Sequence, residues 1–223
     1  IALNPEANSP TLKRFSFLLW FSLFLQIGCS ESPSSLESCD EAISSSGYLI
    51  SKDCRLLHWG THLPIILIKE ETLPHNISIA FDQAITMWEE ATGLNLFEIE
   101  QRILPYQNTL TYQLNIIGVR GGNSWTLEPI SGREDEPAKT VYFYKEELFN
   151  SNIFINETFA NGSEGTYDFL SIALHELGHV LGLDHDDATS PEMSIMNSRI
   201  EPFEQRRLGE RDIWRVRALY TPF

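Results

Sequence analysis

Cysteine, histidine and basic residues are all scarce in this chain. The last of its three cysteines is Cys54, so the body of the protein depends neither on disulfides nor on thiolate metal ligands. Sixteen Lys and Arg residues against 31 Asp and Glu residues give a formal net charge of −15, which argues against nucleic acid as a partner. We interpret the arginines near the end as a solvated helix face with local ion pairs, an acidic partner being the alternative; they are Arg199, Arg206, Arg207, Arg211, Arg215 and Arg217.

Long apolar runs are equally rare. The stretch that follows Lys13-Arg14 carries no charge between Phe15 and Gly28, and it is shorter than the roughly 20 residues of a membrane span. A basic start and a short apolar run predict an export signal over residues 1–29, whose true start is left open. Its end, Leu25–Ser30, resembles a bacterial lipobox, although Gln26 departs from the usual small aliphatic residue or Leu.

The lipobox predicts lipidation at Cys29 and an exported protein, either a lipoprotein of the bacterial cell envelope or a secreted one. Contact with a membrane is then expected only through the lipid anchor, with plain secretion or an uncleaved anchor as alternatives. If Cys29 carries lipid, Cys39 and Cys54 form an even pair in an oxidising compartment, where a bridge between them is plausible. Residues 30–55 are rich in Ser and acids and predict a linker, and residues 56–223 predict one folded domain.

The order of elements in that domain is strand, helix, four strands and two helices. Apolar spacing predicts the first helix over 76–92, ended by Gly93, and two more over 167–181, with Thr166 as N-cap, and 209–220. Apolar runs and alternation predict strands over 63–69, 94–100, 111–119, 139–145 and 152–159, with a loop over 120–139. We therefore expect an α+β domain with a five-stranded, twisted, mixed sheet.

The most informative stretch is HELGHVLGLDH, which holds three of the six histidines. His175 and His179 are four apart on a predicted helix, so both rings project from one face. Gly182 permits a sharp turn, which can bring His185 back toward the same ion. Three neutral imidazoles and a water make a four-coordinate zinc site with one open position. Glu176, beside His175, can take a proton from that water and pass it to a leaving amine.

This HExxHxxGxxH pattern resembles the zinc signature of the metzincin metalloproteases. Their methionine-containing turn corresponds to Met196 within Ser194–Asn197, with Met193 as the rival candidate, and the resemblance implies that its sulfur lies beneath the metal without binding it. Within the metzincins, the order of elements, the SNIFIN stretch upstream of the zinc helix and the closing LGERDIWRVRALY stretch look like the matrixins. This resemblance covers about 160 residues of the chain.

The matrixin resemblance implies that the predicted strand near 140–145 is the antiparallel edge of the sheet and binds substrate as an added strand. The residues concerned are Thr140, Val141, Tyr142, Phe143 and Tyr144. Asp186 departs from the Ser or Thr usual after the third histidine. The chain shows no cysteine-switch motif, and residues 120–139 lack the histidine of a second, structural zinc site. A calcium site at Asp135 or nearby acids stays open.

Together these features predict a zinc endopeptidase with one catalytic Zn²⁺, acting on proteins or peptides as a monomer. Two alternatives remain at this point. One is a non-catalytic, zinc-containing surface lipoprotein, and the other is a zinc amidase that acts on cell-wall material.

Overall fold

The computed structural model describes residues 39, 46–71, 73–101, 115–126, 130–160, 167–188, 190 and 193–221. The predicted signal with Cys29, the predicted N-cap Thr166 and the first part of the predicted linker lie outside the described residues. No helix among the described residues is long and apolar enough to cross a membrane.

Five strands form one mixed sheet, as the element order predicts. They are β1 (Ile65–Lys69), β2 (Phe97–Gln101), β3 (Asn115–Arg120), β4 (Ala138–Tyr144) and β5 (Leu148–Asn156). Their spatial order is β2-β1-β3-β5-β4, and every pair is parallel except the last. Strand β4, which contains Thr140–Tyr144, therefore lies at one edge and runs antiparallel to β5, as the resemblance implied.

Two long helices pack together against this sheet. Helix α1 (His75–Thr92) buries the apolar stripe that its spacing predicts, and Gly93 ends it in the left-handed conformation. The α4 helix (Phe169–Val180) contacts α1, β4 and β5, and the Trp88 indole N–H donates to the Leu174 carbonyl across the helix pair. Buried apolar side chains between these layers form the main core. This core packs α4 against β4 and β5 at the edge of the sheet.

Three shorter helices complete the fold: α2 (Asn123–Thr126), α3 (Glu157–Ala160) and the closing helix α5 (Glu210–Tyr220). The α2 turn lies in the segment predicted as a loop. Its Trp125 joins a second, smaller apolar cluster with β4 and β5 side chains. The closing helix matches its predicted span within one residue at its start.

One strand was misplaced by the sequence pattern. The prediction put it at 152–159, whereas β5 spans Leu148–Asn156 and α3 follows at once. Polar residues hid the beginning of the strand, because Asn150, Ser151 and Asn152 are fully buried. Their burial is stabilised by hydrogen bonds with Asn115, which accepts from the Ser151 backbone and the Asn150 amide.

The predicted boundary between linker and domain at residue 56 is too late. Residues 46–57, which we call the N-terminal strap, pack on the domain and bury Tyr48 and Leu49. The strap folds back on itself through a bridge between Ile50 and Leu56, and Tyr48 pairs with Leu183 beyond α4. Pairing with a distant segment gives no local periodicity, which is why composition alone indicated a linker. Cys54 of the strap is disulfide-bonded to Cys39.

Candidate active site

The predicted zinc motif begins on α4, a helix with a defined start and end. The Asp168 carboxylate accepts from the Ser171 backbone N–H and hydroxyl, which caps the helix where the sequence pattern suggested Thr166. At the other end, the Gly182 N–H donates to the His179 carbonyl and the Leu183 N–H to the Gly178 carbonyl. These two bonds form a Schellman turn, which ends the helix after the second histidine.

Gly182 makes this turn with a φ of 95°, a conformation that side-chain-bearing residues rarely adopt. A Cβ atom at this position would also lie 2.4 Å from the backbone oxygen of Leu57. Both the left-handed backbone and the contact with the strap therefore require glycine. The turn reverses the chain and brings His185 back over the face of α4, as the spacing predicts.

Three histidine rings converge at one point. The Nε2 atoms of His175 and His179 lie 3.1 Å apart, and one ring nitrogen from each of the three histidines falls within 4.8 Å of the others. Among the described residues, this is the only group of three or more His, Cys, Asp or Glu side chains so arranged. Asp135 instead pairs with Arg133, and no acidic cluster forms around it within the described part of the chain.

Hydrogen bonds set the tautomer of the first two histidines. His175 Nδ1 lies 2.8 Å from the Ile195 carbonyl, and His179 Nδ1 lies 2.9 Å from the Leu183 carbonyl. Because a carbonyl oxygen can only accept, both Nδ1 atoms must carry the proton. Both Nε2 atoms then carry lone pairs and lie 3.1 Å apart, an arrangement that a cation bound by both nitrogens would stabilise.

The site fits zinc in both distance and charge state. Two imidazole nitrogens bound to tetrahedral zinc at about 2.0–2.1 Å lie about 3.3 Å apart, close to the observed separation. Burial lowers the pKa of His175 to about 3 and that of His179 well below its usual value, and it also lowers the pKa of His185. All three rings are therefore neutral at pH 7, the form that binds metals.

Glu176 lies on the same cleft and is buried in the side of α4 that faces β4. Its carboxylate accepts a hydrogen bond from the Thr140 hydroxyl at 2.5 Å. Burial raises the pKa of Glu176 to about 7, although the Thr140 hydrogen bond opposes that shift. Thr140 was predicted as part of a substrate-binding strand, but this contact with Glu176 carries no signal in the sequence.

Met196 packs against α4 at Gly178, next to the second histidine of the motif. Its side chain is fully buried, and a Cβ atom at Gly178 would lie 2.3 Å from its sulfur. Met193, the rival candidate, is exposed over 63% of its surface. Packing against Met196 therefore requires glycine at position 178, inside HELGH, which the motif itself did not indicate.

A buried charged network fixes the turn that carries Met196. The Asp212 carboxylate accepts from the Ser194 hydroxyl, the Ile195 N–H and the Gly209 N–H. Arg215 donates to Asp212 and also to Asp186, the residue that departs from the matrixin pattern. Arg215 is 1% exposed and Arg206 is 7% exposed, so the interpretation of these arginines as a solvated face is wrong for both.

The cleft runs between β4 and α4, with the histidines and Glu176 on its floor. Ala138, Thr140 and Tyr142 of β4 line one side. The segment after Met196 contributes Asn197, Ser198 and Ile200. Leu49 of the N-terminal strap also lines the cleft, and sequence analysis did not single it out.

Two histidines lie on one face of α4, a third follows a glycine turn, and a buried methionine packs against the helix at Gly178. These features define a metzincin-type zinc-protease domain. The sequence model of the peptidase family Matrixin matches residues 64–221, so the chain belongs to the matrixin family. Among solved structures, the chain is similar to high choriolytic enzyme 1, a hatching enzyme zinc-protease from the medaka fish Oryzias latipes. That similarity has 13% identity and a TM-score of 0.40 over 75% of this chain and 96% of the other. No curated protein sequence matches significantly.

Proposed function

We propose that this matrixin domain is a zinc-dependent endopeptidase in which Glu176 is the general base and His175, His179 and His185 hold the metal. The observation that carries the proposal is the pair of facing Nε2 lone pairs with a buried carboxylate on the same cleft. The matrixin match supports a peptidase, and the donor set supports zinc.

Proton transfer is the part of the reaction that this chain's own residues perform. A bound zinc ion supplies Lewis acidity, which lowers the pKa of a water and polarises the carbonyl of the scissile bond. The Glu176 carboxylate accepts a proton from the attacking water and delivers it to the nitrogen of the leaving amine. Its pKa of about 7 is suited to both steps, because a base poised near the working pH can accept and return a proton.

The edge strand supplies the means of holding an extended peptide. Strand β4 is the outermost strand of the sheet, and residues on it line the cleft opposite α4. A substrate that adds to β4 as a further strand runs along the free edge of β4, beside the cleft that holds Glu176 and the histidines. Main-chain hydrogen bonds then give affinity for peptides of many sequences, and the side-chain pockets of the cleft give preference.

The first experiment compares the purified chain with its Glu176→Gln variant, measuring zinc content and hydrolysis of a denatured protein. One zinc in both, with hydrolysis reduced about 10²–10⁴-fold in the variant, supports the proposed base. Full activity in the variant would refute it. Chelation should abolish hydrolysis and added zinc should restore it, and His185→Ala should hold zinc far more weakly than the wild type.

Peptidoglycan, offered as a second substrate in the same experiment, separates the two alternatives. Hydrolysis of peptidoglycan without hydrolysis of peptides would favour the cell-wall amidase. One zinc in both proteins without hydrolysis of either material would favour the non-catalytic surface lipoprotein. An open cleft beside an edge strand, long enough for several residues of extended peptide, favours the endopeptidase over both.

We further propose that the protein is exported and acts as a monomer, tethered by lipid at Cys29. The support is the basic, apolar and lipobox-like sequence up to residue 30 together with the disulfide between Cys39 and Cys54. Metabolic labelling with a radioactive fatty acid tests this. Incorporation that is lost in Cys29→Ser would support the anchor, and secretion without label would favour the freely secreted form.

A further inference from the structure

Leu49 reaches the substrate cleft from a segment that precedes the matched matrixin region. It lines the cleft together with Tyr142, His179 and Asp184, although the family match begins only at residue 64. Leu49 is 3% exposed and belongs to the main core. Leu49 is therefore a firmly seated apolar wall rather than a loose residue near the opening.

Several hydrogen bonds hold this wall in place. The Leu49 N–H donates to the Gly182 carbonyl, and the Leu49 carbonyl accepts from the Leu57 N–H across the strap. Next to it, the Gly47 carbonyl accepts from the Asp184 N–H and from the buried Arg215 guanidinium. The position of Leu49 is thereby tied to the turn that also places His185.

Leu49 lies at one end of the cleft. Its partner Gly182 follows the carboxyl end of α4, whereas the opposite end is lined by Ser171, Ile200 and Arg206 at the amino end of that helix. At 1.5 Å per residue, Ser171 and Val180, near the two ends of α4, are about 13.5 Å apart along the helix, a length that about four residues of extended peptide span. Glu176 lies between these ends in the helix, and a peptide that runs from one end of the cleft to the other would present residues from different sides of the scissile bond to them.

We propose that Leu49 is a specificity-determining residue that limits the size of the apolar substrate side chain bound at the strap end of the cleft. This inference rests on the proposed endopeptidase function. Leu49 and the Tyr142 ring form an apolar surface there, and the strap is further attached to the edge strand by a hydrogen bond between the Lys52 backbone and Tyr144. A rigid apolar wall accepts small and medium side chains and excludes large aromatic ones.

The test measures peptide binding rather than turnover, so that it does not depend on catalysis. Zinc-loaded Glu176→Gln protein is titrated with fluorescent peptides that carry Ala, Leu or Phe at one position at a time. The titration is repeated with Leu49→Ala added to this protein. Leu56→Ala, added instead, is the matched control, because Leu56 lies on the same strap, is 40% exposed and does not line the cleft. Ile200→Ala serves as the control at the opposite end.

With Leu49→Ala, we expect affinity for Phe peptides to rise several-fold at positions on one side of the scissile bond, with Ala peptides unchanged. Ile200→Ala should change preference only on the other side, and Leu56→Ala should change nothing. An equal change for all peptides, no change, or the same shift with Leu56→Ala would overturn the proposal. If Leu49→Ala does not fold, the volume-conserving Leu49→Met variant is judged by the same positional criterion, because a flexible side chain should relax the exclusion of Phe.

Failure of the proposed function is distinguishable from failure of this inference. If the wild type cleaves no peptide but the Glu176→Gln protein still shows the Leu49-dependent preference, hydrolysis is refuted and the role of Leu49 in selection stands. If the wild type cleaves peptides and Leu49→Ala leaves the positional preference unaltered, hydrolysis stands and the role of Leu49 is refuted. Absence of any peptide binding overturns both.

Discussion

The Thr140 hydroxyl donates to the Glu176 carboxylate across a gap of 2.5 Å, joining the edge strand of the sheet to the active-site helix. The same hydroxyl lies 3.3 Å from the Glu176 backbone carbonyl. This contact orients the carboxylate of the proposed base, and it lowers the pKa that burial raises. Thr140 is therefore a positioning residue that acts through Glu176.

The first prediction follows from that bond. Thr140→Val removes the hydroxyl and keeps the branched shape, so zinc content should be unchanged and kcat/KM should fall about tenfold, the equivalent of one hydrogen bond to a charged group at about 1.5 kcal/mol. Without this hydrogen bond, nothing from Thr140 offsets the effect of burial, and the pKa of Glu176 rises. The carboxylate then stays protonated to higher pH, so the acidic limb of the pH profile should move upward.

Thr140→Ser is the matched control because it retains the hydroxyl. It should keep the wild-type pH profile and most of the activity. A Thr140→Val enzyme with lower activity but an unshifted acidic limb would show that Thr140 only packs against the helix, and that its hydrogen bond does not tune the base.

Local chemistry made much of the site predictable from sequence. The four-residue spacing of His175 and His179 places them on one helix face, and the conformational freedom of Gly182 explains how His185 returns. The edge position of β4 followed from the matrixin resemblance. These features depend on short stretches, whose geometry is set by the period of a helix or the needs of a turn.

Features that depend on long-range pairing could not be predicted. Arg215 donates to the carbonyl of Gly47, 168 positions away, and no pattern within either segment indicates the other. The same holds for Leu49, whose place in the cleft depends on backbone pairing with the turn after α4. Asn150, Ser151 and Asn152 are buried although they are polar, because they hydrogen-bond to Asn115 and Ile116 of the neighbouring strand β3 and Asn152 also donates to Asn150.

The second prediction concerns the buried carboxylate under the methionine turn. Asp212→Asn keeps the shape but removes the charge that faces Arg215, and its amide can no longer accept from every donor around it. Breaking a buried pair in this way should lower the free energy of unfolding by about 3 kcal/mol, measured by urea denaturation. Glu210→Gln, an exposed acid in the same first turn of α5, should change it by less than about 0.5 kcal/mol. Equal effects of the two variants would contradict the structural role of Asp212.

The third prediction tests the contact between α4 and Met196. Gly178→Ala places a methyl group 2.3 Å from the Met196 sulfur, so the helix-propensity gain of about 1 kcal/mol is outweighed by overpacking of about 1–3 kcal/mol. In a Met196→Ala background the sulfur is gone, and the same substitution should be neutral or stabilising. A double-mutant cycle by thermal unfolding measures the difference. Additive effects would mean that the two residues do not touch.

The fourth prediction concerns the disulfide that joins Cys54 of the N-terminal strap to Cys39. Cys39 and Cys54 are 15 positions apart, and closing a loop of that length restricts the unfolded chain by about 3 kcal/mol in the chain-entropy description. The double variant Cys39→Ala/Cys54→Ala should therefore unfold at lower urea concentration by that amount, and a reductant should lower the stability of the wild type equally. The reductant should have no effect on the double variant, which serves as the matched control.

Because the strap is also held by Arg215 and by backbone pairing with the turn after α4, zinc content should survive loss of the disulfide. Loss of zinc in the double variant would instead mean that the disulfide, rather than the buried network, holds the turn that places His185.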